Sequence, residues 1–186
     1  MKNIFSQVEA KRPRSNTFDL SHERKMSSTF GQLTPILALE CVPGDEISLS
    51  TSMLTRLAPM VAPLMHRVNV YSHFFFVPNR ILWSNWESFV TGGEDGADAS
   101  VFPKMVMNPT EGLSDLSDYL GLPTDPAGHN PEVSAMPFAA YQCIYNEYYR
   151  DQNLVTSIDW KLTDGLTNSG ATFKPIRAVL IRWKEE

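Results

Sequence analysis

The run from Arg67 to Val90, RVNVYSHFFFVPNRILWSNWESFV, is the longest apolar stretch of the chain, and its period changes halfway along. Val68, Val70, Phe74 and Phe76 share one parity, with Ser72 the only break, while Arg67, Asn69, Tyr71 and His73 take the other. Alternation at period two predicts a half-buried strand over residues 67–77. Phe75 and Val77 make the second face apolar too, so the end of that strand needs cover on both sides. Pro78 has no N–H to give a ladder and stops it. Beyond it Trp83, Trp86, Phe89 and Val90 fall at helical spacing, Ser84 and Glu87 stand as in a capping box, and Gly92 with Gly93 supplies a stop. The corner at Pro78 to Arg80 is therefore where a sheet feeds a helix.

The rest of the chain is read around that corner. Glu46 to Leu54 alternates Ile47, Leu49 and Met53 with Ser48, Ser50 and Ser52, directly after a Val42-Pro43-Gly44-Asp45 turn, and predicts a solvent-facing strand. Thr29 to Cys41 is extended in character, but Pro35 confines it to an edge or a bulge. Thr17 to Leu20 is a candidate short edge strand. Pro59 and Pro63 keep Leu57 to Met65 irregular, as a crossing between sheets. Leu113 to Leu120 predicts a short helix ended by Gly121 and Pro123. Pro137 opens a second strong helix, with Phe138, Tyr141, Ile144, Tyr145, Tyr148 and Tyr149 on about half its circumference. Asp125 to Pro131 reads as irregular, Gly165 to Gly170 as a turn, and Ala178 to Trp183 as a final strand or the start of a helix. No repeat of fixed period is present.

With 186 residues and 42% hydrophobic content, the chain can bury a core as one domain, or one domain with an insertion. Its net charge of -5 argues against a surface built wholly to hold nucleic acid. The charge is polarised, however. Residues 1–25 carry six basic and three acidic side chains, and residues 87–132 carry nine acidic against one basic. Cys41 and Cys143 lie in no metal or disulfide spacing, so buried free thiols are expected. The amino terminus lacks an apolar signal core, and no run is long enough to span a bilayer, so no membrane role is expected and the chain is made and kept in a cytoplasm unless something else exports it.

Catalysis needs a nucleophile with its base, a metal cluster or paired carboxylates, and none has a signature here. His22, His66, His73 and His129 share no ligand spacing, and His73 reads as a hydrogen-bonded structural histidine. The glycines form neither a P-loop nor a dinucleotide fingerprint, and TGGEDGADAS, Thr91 to Ser100, matches no calcium loop. No catalytic residue, metal ligand or cofactor is expected. A lectin-like or carbohydrate-active β-sandwich would require paired carboxylates in a pocket.

Two features admit a functional reading beside a bland one. Trp83, Trp86, Phe89, Tyr141, Tyr145, Tyr148 and Tyr149 serve either as core anchors or as rings shown to a neighbouring subunit. Lys11, Arg12, Arg14, Arg24 and Lys25 form either a solvated terminus or an arm that neutralises phosphates without reading sequence. A single-stranded nucleic-acid binding module, using that arm and the aromatic rings, is the alternative to a structural subunit.

Long blocks then carry a resemblance. RLAPMVAPLMHRVNVYSHFFFVPNRILWSNWESFVTGG, Arg56 to Gly93, resembles the major capsid proteins of the Microviridae, small icosahedral single-stranded DNA phages, and particularly their gokushovirus branch. SNTFDLSHERK, PILALECVPGDEISLST and YQCIYNEYYRDQNL agree with the family in the same order. The resemblance implies a viral jelly roll, an eight-stranded antiparallel β-sandwich of Greek-key topology with helical insertions, mainly β and non-enzymatic. It implies self-assembly of many copies into an icosahedral shell around a single-stranded DNA genome, with internal DNA-binding, scaffolding or spike proteins as further partners. The location implied is the virion, assembled in the cytoplasm of a bacterial host. Residues 1–25 are then a basic arm, and residues 26–186 a partial jelly-roll domain with a helix-bearing insertion at about 80–150. Because family members run far beyond Glu186, an incomplete sandwich is expected. Its remainder lies in another chain, in sequence past Glu186, or is absent from the gene product.

Overall fold

A computed structural model describes residues 14–107, 115–122, 131–169 and 175–177. Its organising element is α4, Met136–Ile144, which opens with Pro137 in the first turn as expected. Met136, Ala139, Ala140 and Cys143 recur at helical spacing and face one cluster, with Leu82, Trp83, Trp86, Phe102 and Trp160. Ala135, Phe138 and Tyr141 face a second cluster with Met105, Leu116, Leu33 and Ile176. Leu162 packs against both. A helix covered on two sides is apolar most of the way round, which is how α4 reads.

From Tyr145 to Tyr149 the helix widens into a π turn, closed by the Arg150 N–H on the Tyr145 carbonyl at 2.9 Å. The expected single aromatic stripe is thereby split. Tyr141 and Tyr145 stay buried, while Tyr148 and Tyr149 swing to the surface end.

The region after Pro78 holds two short helices rather than one: α1, Asn79–Leu82, and α2, Trp86–Thr91. Trp83 between them is extended and bridges Leu162, whose N–H donates to the Leu82 carbonyl at 2.9 Å. Its buried indole N–H donates to Asp164 at 2.7 Å, and the Asn85 amide donates to the same carboxylate. Burying a large ring with a polar N–H requires an acceptor, and reaching Asp164 breaks the helix. The Ser84–Glu87 capping box does not form: Asn85 is the N-cap of α2 and makes no capping side-chain bond. The glycine stop does form, with Gly92 left-handed at φ 83°.

The described sheet is small and lies elsewhere than the alternating stretches. β1, Lys104–Val106, is central; β2, Glu132–Ser134, pairs with it antiparallel and β3, Leu166–Ser169, parallel. Met105 stands opposite Val133 and buries its side chain under α4. The turn expected at 165–170 is instead Gly165, at φ 72°, leading into β3. Residues 46–54 and 67–77, expected as strands, form neither helix nor strand and have no ladder partner among the described residues. The edge strand expected at 17–20 is likewise unpaired there, and 29–41 makes only the Gln32–Arg177 bridge. The Val42–Asp45 turn is present, with Asp45 N–H on the Val42 carbonyl at 3.1 Å and Gly44 at φ 97°.

α3, Leu116–Tyr119, ends in a Schellman pattern. Leu122 N–H donates to Ser117 carbonyl, Gly121 N–H donates to Asp118 carbonyl, and Gly121 takes φ 87°. Gly121 was legible as that stop. Cys143 is buried as expected, but Cys41 is exposed, since the turn it precedes packs against no core cluster. Among the described residues no helix is long and apolar enough to cross a membrane. The reading of Ala178 to Trp183 lies outside the described residues.

Candidate assembly surface

The extended segment 67–77 has two faces with different fates. His73 and Phe75, on the odd parity, lean on the π turn, while Tyr71, 76% exposed, meets only the His73 ring at 6.4 Å among the described ring contacts. His73 stacks on Tyr149 with centroids 5.9 Å apart, and its Nδ1 is hydrogen-bonded to the Tyr149 hydroxyl. Phe75 meets Tyr148 at 4.7 Å. His73 is thus a hydrogen-bonded histidine, as its place on the less apolar face suggested. Burial pushes the Tyr149 phenol above its ordinary pKa.

The even parity, expected to be the buried face, is open. Val70 is 52% exposed, Phe74 57% and Phe76 79%. Ile47, Leu49 and Met53 are exposed in the same way on 46–54. Phe76 and Ile47 line a hollow of about 440 Å³ with Val42 and Pro43 of the turn. Apolar residues recur there at period two, with their backbone groups in no ladder among the described residues.

The aromatic candidates divide between core and surface. Trp83, Tyr141 and Tyr145 are buried. Trp86 is half-buried and Phe89 exposed, yet both rings pack on Trp83, Trp86 edgewise at 6.5 Å and Phe89 tilted at 5.3 Å. Tyr148 is exposed and Tyr149 half-buried. The Tyr141 hydroxyl donates to the Leu33 carbonyl at 2.9 Å and accepts from the Ile176 N–H at 2.8 Å; burial raises its pKa to about 12. The basic candidates are not brought together. Lys11 and Arg12 lie outside the described residues, Arg14 and Lys25 are exposed, and Arg24 is half-buried with its guanidinium on backbone carbonyls. The cover expected for Phe75 is supplied by Tyr148 and Tyr149; that these two tyrosines would supply it went unread from sequence.

Among the described residues there is no group of three metal-ligating side chains. A polar hollow of about 340 Å³ beside Asn146, Arg150 and Trp160 mixes acidic and basic groups and is closed on one side by Asn146, which exchanges two hydrogen bonds with Ile158.

A family model described as capsid protein (F protein) matches residues 6–178. Capsid protein VP1 of Chlamydia phage 1 is 42% identical over 167 residues, covering 85% of this chain and 28% of that protein. Capsid protein VP1 of Bdellovibrio phage phiMH2K is 37% identical over 170 residues, covering 90% and 32%. That of Spiroplasma virus 4 is 30% identical over 161 residues, covering 84% and 28%. The chain therefore spans roughly a third or less of the length of these relatives.

Proposed function

From the premise that this chain belongs to the capsid protein (F protein) family, we propose that it is a structural, non-enzymatic part of a phage shell. The observation that carries the reading is the open apolar parity of 67–77, matched by that of 46–54. In the proposed shell these segments are strands of a jelly-roll sandwich, paired and covered by polypeptide that the matched third of the relatives does not include, or by neighbouring copies. Residues 26–186 form part of that sandwich, and the helices between about 80 and 150 are an insertion lying over it. The shell is icosahedral and encloses single-stranded DNA, which the basic arm at residues 1–25 meets through phosphates. Internal DNA-binding, scaffolding or spike proteins are its further partners. The place of action is the virion, assembled in the cytoplasm of a bacterial host.

The experiment is coexpression with the remaining part of a relative such as the Chlamydia phage 1 VP1, followed by electron microscopy and sedimentation. Closed particles containing both polypeptides are expected. A soluble, separate monomer at high concentration, with no particles, would overturn the reading. Deleting residues 1–16 separates shell from DNA: shells should persist and their DNA content fall.

A further inference from the structure

The five basic candidates of the amino-terminal segment, Lys11, Arg12, Arg14, Arg24 and Lys25, are not equivalent. We infer that Arg24 is a positioning residue that locks the amino-terminal strap onto α3, leaving phosphate contact to the cations around it. Its Nη1 donates to the Ile36 carbonyl at 2.7 Å, and its Nη2 donates to the carbonyls of both Asp118 and Tyr119. These acceptors come from two stretches of chain more than eighty residues apart, so the guanidinium ties the strap, the following extended segment and the end of α3 into one joint.

The donor geometry makes that commitment costly to reverse. A guanidinium presents two paired edges to an oxyanion, one formed by Nη1 with Nη2 and the other by Nε with Nη2. Nη2 supplies a hydrogen to each edge, and both of its hydrogens are on carbonyls. Arg24 therefore has no free fork for a phosphate. Arg14 and Lys25, by contrast, are exposed.

Tyr119 holds the same joint from the other side. Its carbonyl receives Arg24, and its buried hydroxyl donates to the Ser27 carbonyl three residues further along the strap. The Asp118 carbonyl already accepts the Gly121 N–H of the Schellman turn, so Arg24 completes the capping of α3. Further on, Leu33 is held by the Ile176 carbonyl and the Tyr141 hydroxyl. The strap is thus fixed to the body at Arg24, and Arg14, ahead of that point, is exposed.

The joint stands on the geometry alone; the division of labour among the cations rests on the proposed role in enclosing DNA. The test uses the full chain with Arg24→Lys, Arg24→Gln, Tyr119→Phe and the double variant Arg14→Gln/Lys25→Gln. Hydrogen exchange should show the hydrogen-bonded amides of residues 119–122, at the end of α3, exchanging roughly tenfold faster or more in both Arg24 variants, and faster in Tyr119→Phe, which keeps every charge. Unchanged exchange in Arg24→Lys would overturn the joint, because charge alone would then suffice. Affinity for an oligothymidylate of about thirty nucleotides is followed against salt, where each lost single-strand phosphate contact lowers the slope by about 0.7. The slope should hold in Arg24→Lys and Arg24→Gln and fall in the double variant. A fall in Arg24→Gln equal to that of the double variant would overturn the division of labour. Absence of binding by every form, wild type included, would remove the DNA reading and with it the division of labour, while exchange would still decide the joint.

Discussion

Tyr141 is the residue on which the two halves of the strap contact converge, since its hydroxyl both donates and accepts. Tyr141→Phe should cost about 1–3 kcal/mol in denaturant unfolding, because the Leu33 carbonyl and Ile176 N–H lose their partner in a buried setting. Burial raises the phenol from 10.0 to about 12, and its hydrogen bond with the Ile176 N–H and the neighbouring Tyr145 act in opposite directions on it. The folded state favours the protonated form. The associated stability is complete below pH 10 and is lost as pH rises from about 10 to about 12. Urea midpoints should fall across that interval, and Tyr141→Phe should remove that part of the fall. Ser117 is the opposite case. It is fully buried, and its hydroxyl has no partner among the described residues. Ser117→Ala should be neutral or stabilise by about 1 kcal/mol, as read by the thermal midpoint.

At the scale of elements, the two short helices after Pro78 gain their stability from packing rather than from length, since four and six residues are too few to be helical alone. Trp86 is what α2 contributes to the first core cluster. Trp86→Ala should lose about 2 kcal/mol of chain stability and weaken particles, measured by thermal release of their contents. Particles of unchanged stability would show that α2 anchors neither core nor contact. α3 is still shorter and depends on its termination. Gly121→Ala meets open space but keeps φ 87°, so about 1 kcal/mol of backbone strain is expected with no clash, seen as faster exchange at 118–122.

Among the described residues a small body packs around α4, to which the amino-terminal half up to residue 76 contributes little beyond Leu33. The body buries its apolar residues; the half from about 36 to 76 leaves many of them in the open. Replacing Val70 and Phe74 with Asp should barely change the stability of the body, within about 0.5 kcal/mol. It should abolish particle formation and reduce self-association, read by sedimentation, because charge on that face opposes strand addition. Equal particle yield from the double variant would show that the even parity faces solvent in the shell.

Some of this was decided by residues acting locally. Pro78, Gly92, Gly121 and Pro137 set boundaries that hold in the structure, because the missing N–H of proline and the left-handed freedom of glycine act within one turn. The Val42–Asp45 turn was legible for the same reason, while the strands expected at 46–54 and 67–77 have no ladder partner among the described residues; the alternation of 67–77 was legible only as two faces of different composition. Which face would be covered was not, because period two states only that the faces differ. Tertiary contact made that choice: the π turn placed Tyr148 and Tyr149 where the odd parity of 67–77 could stack on them. The break at Trp83 and the three-stranded sheet were invisible for a related reason. Each depends on a distant segment, Asp164 accepting the indole N–H and Gly165 leading β3 to β1, and no local pattern records a partner sixty or eighty residues away. The family was written in long blocks of the sequence; the separation of Arg24 from the other cations existed only once the chain had brought three carbonyls to one guanidinium.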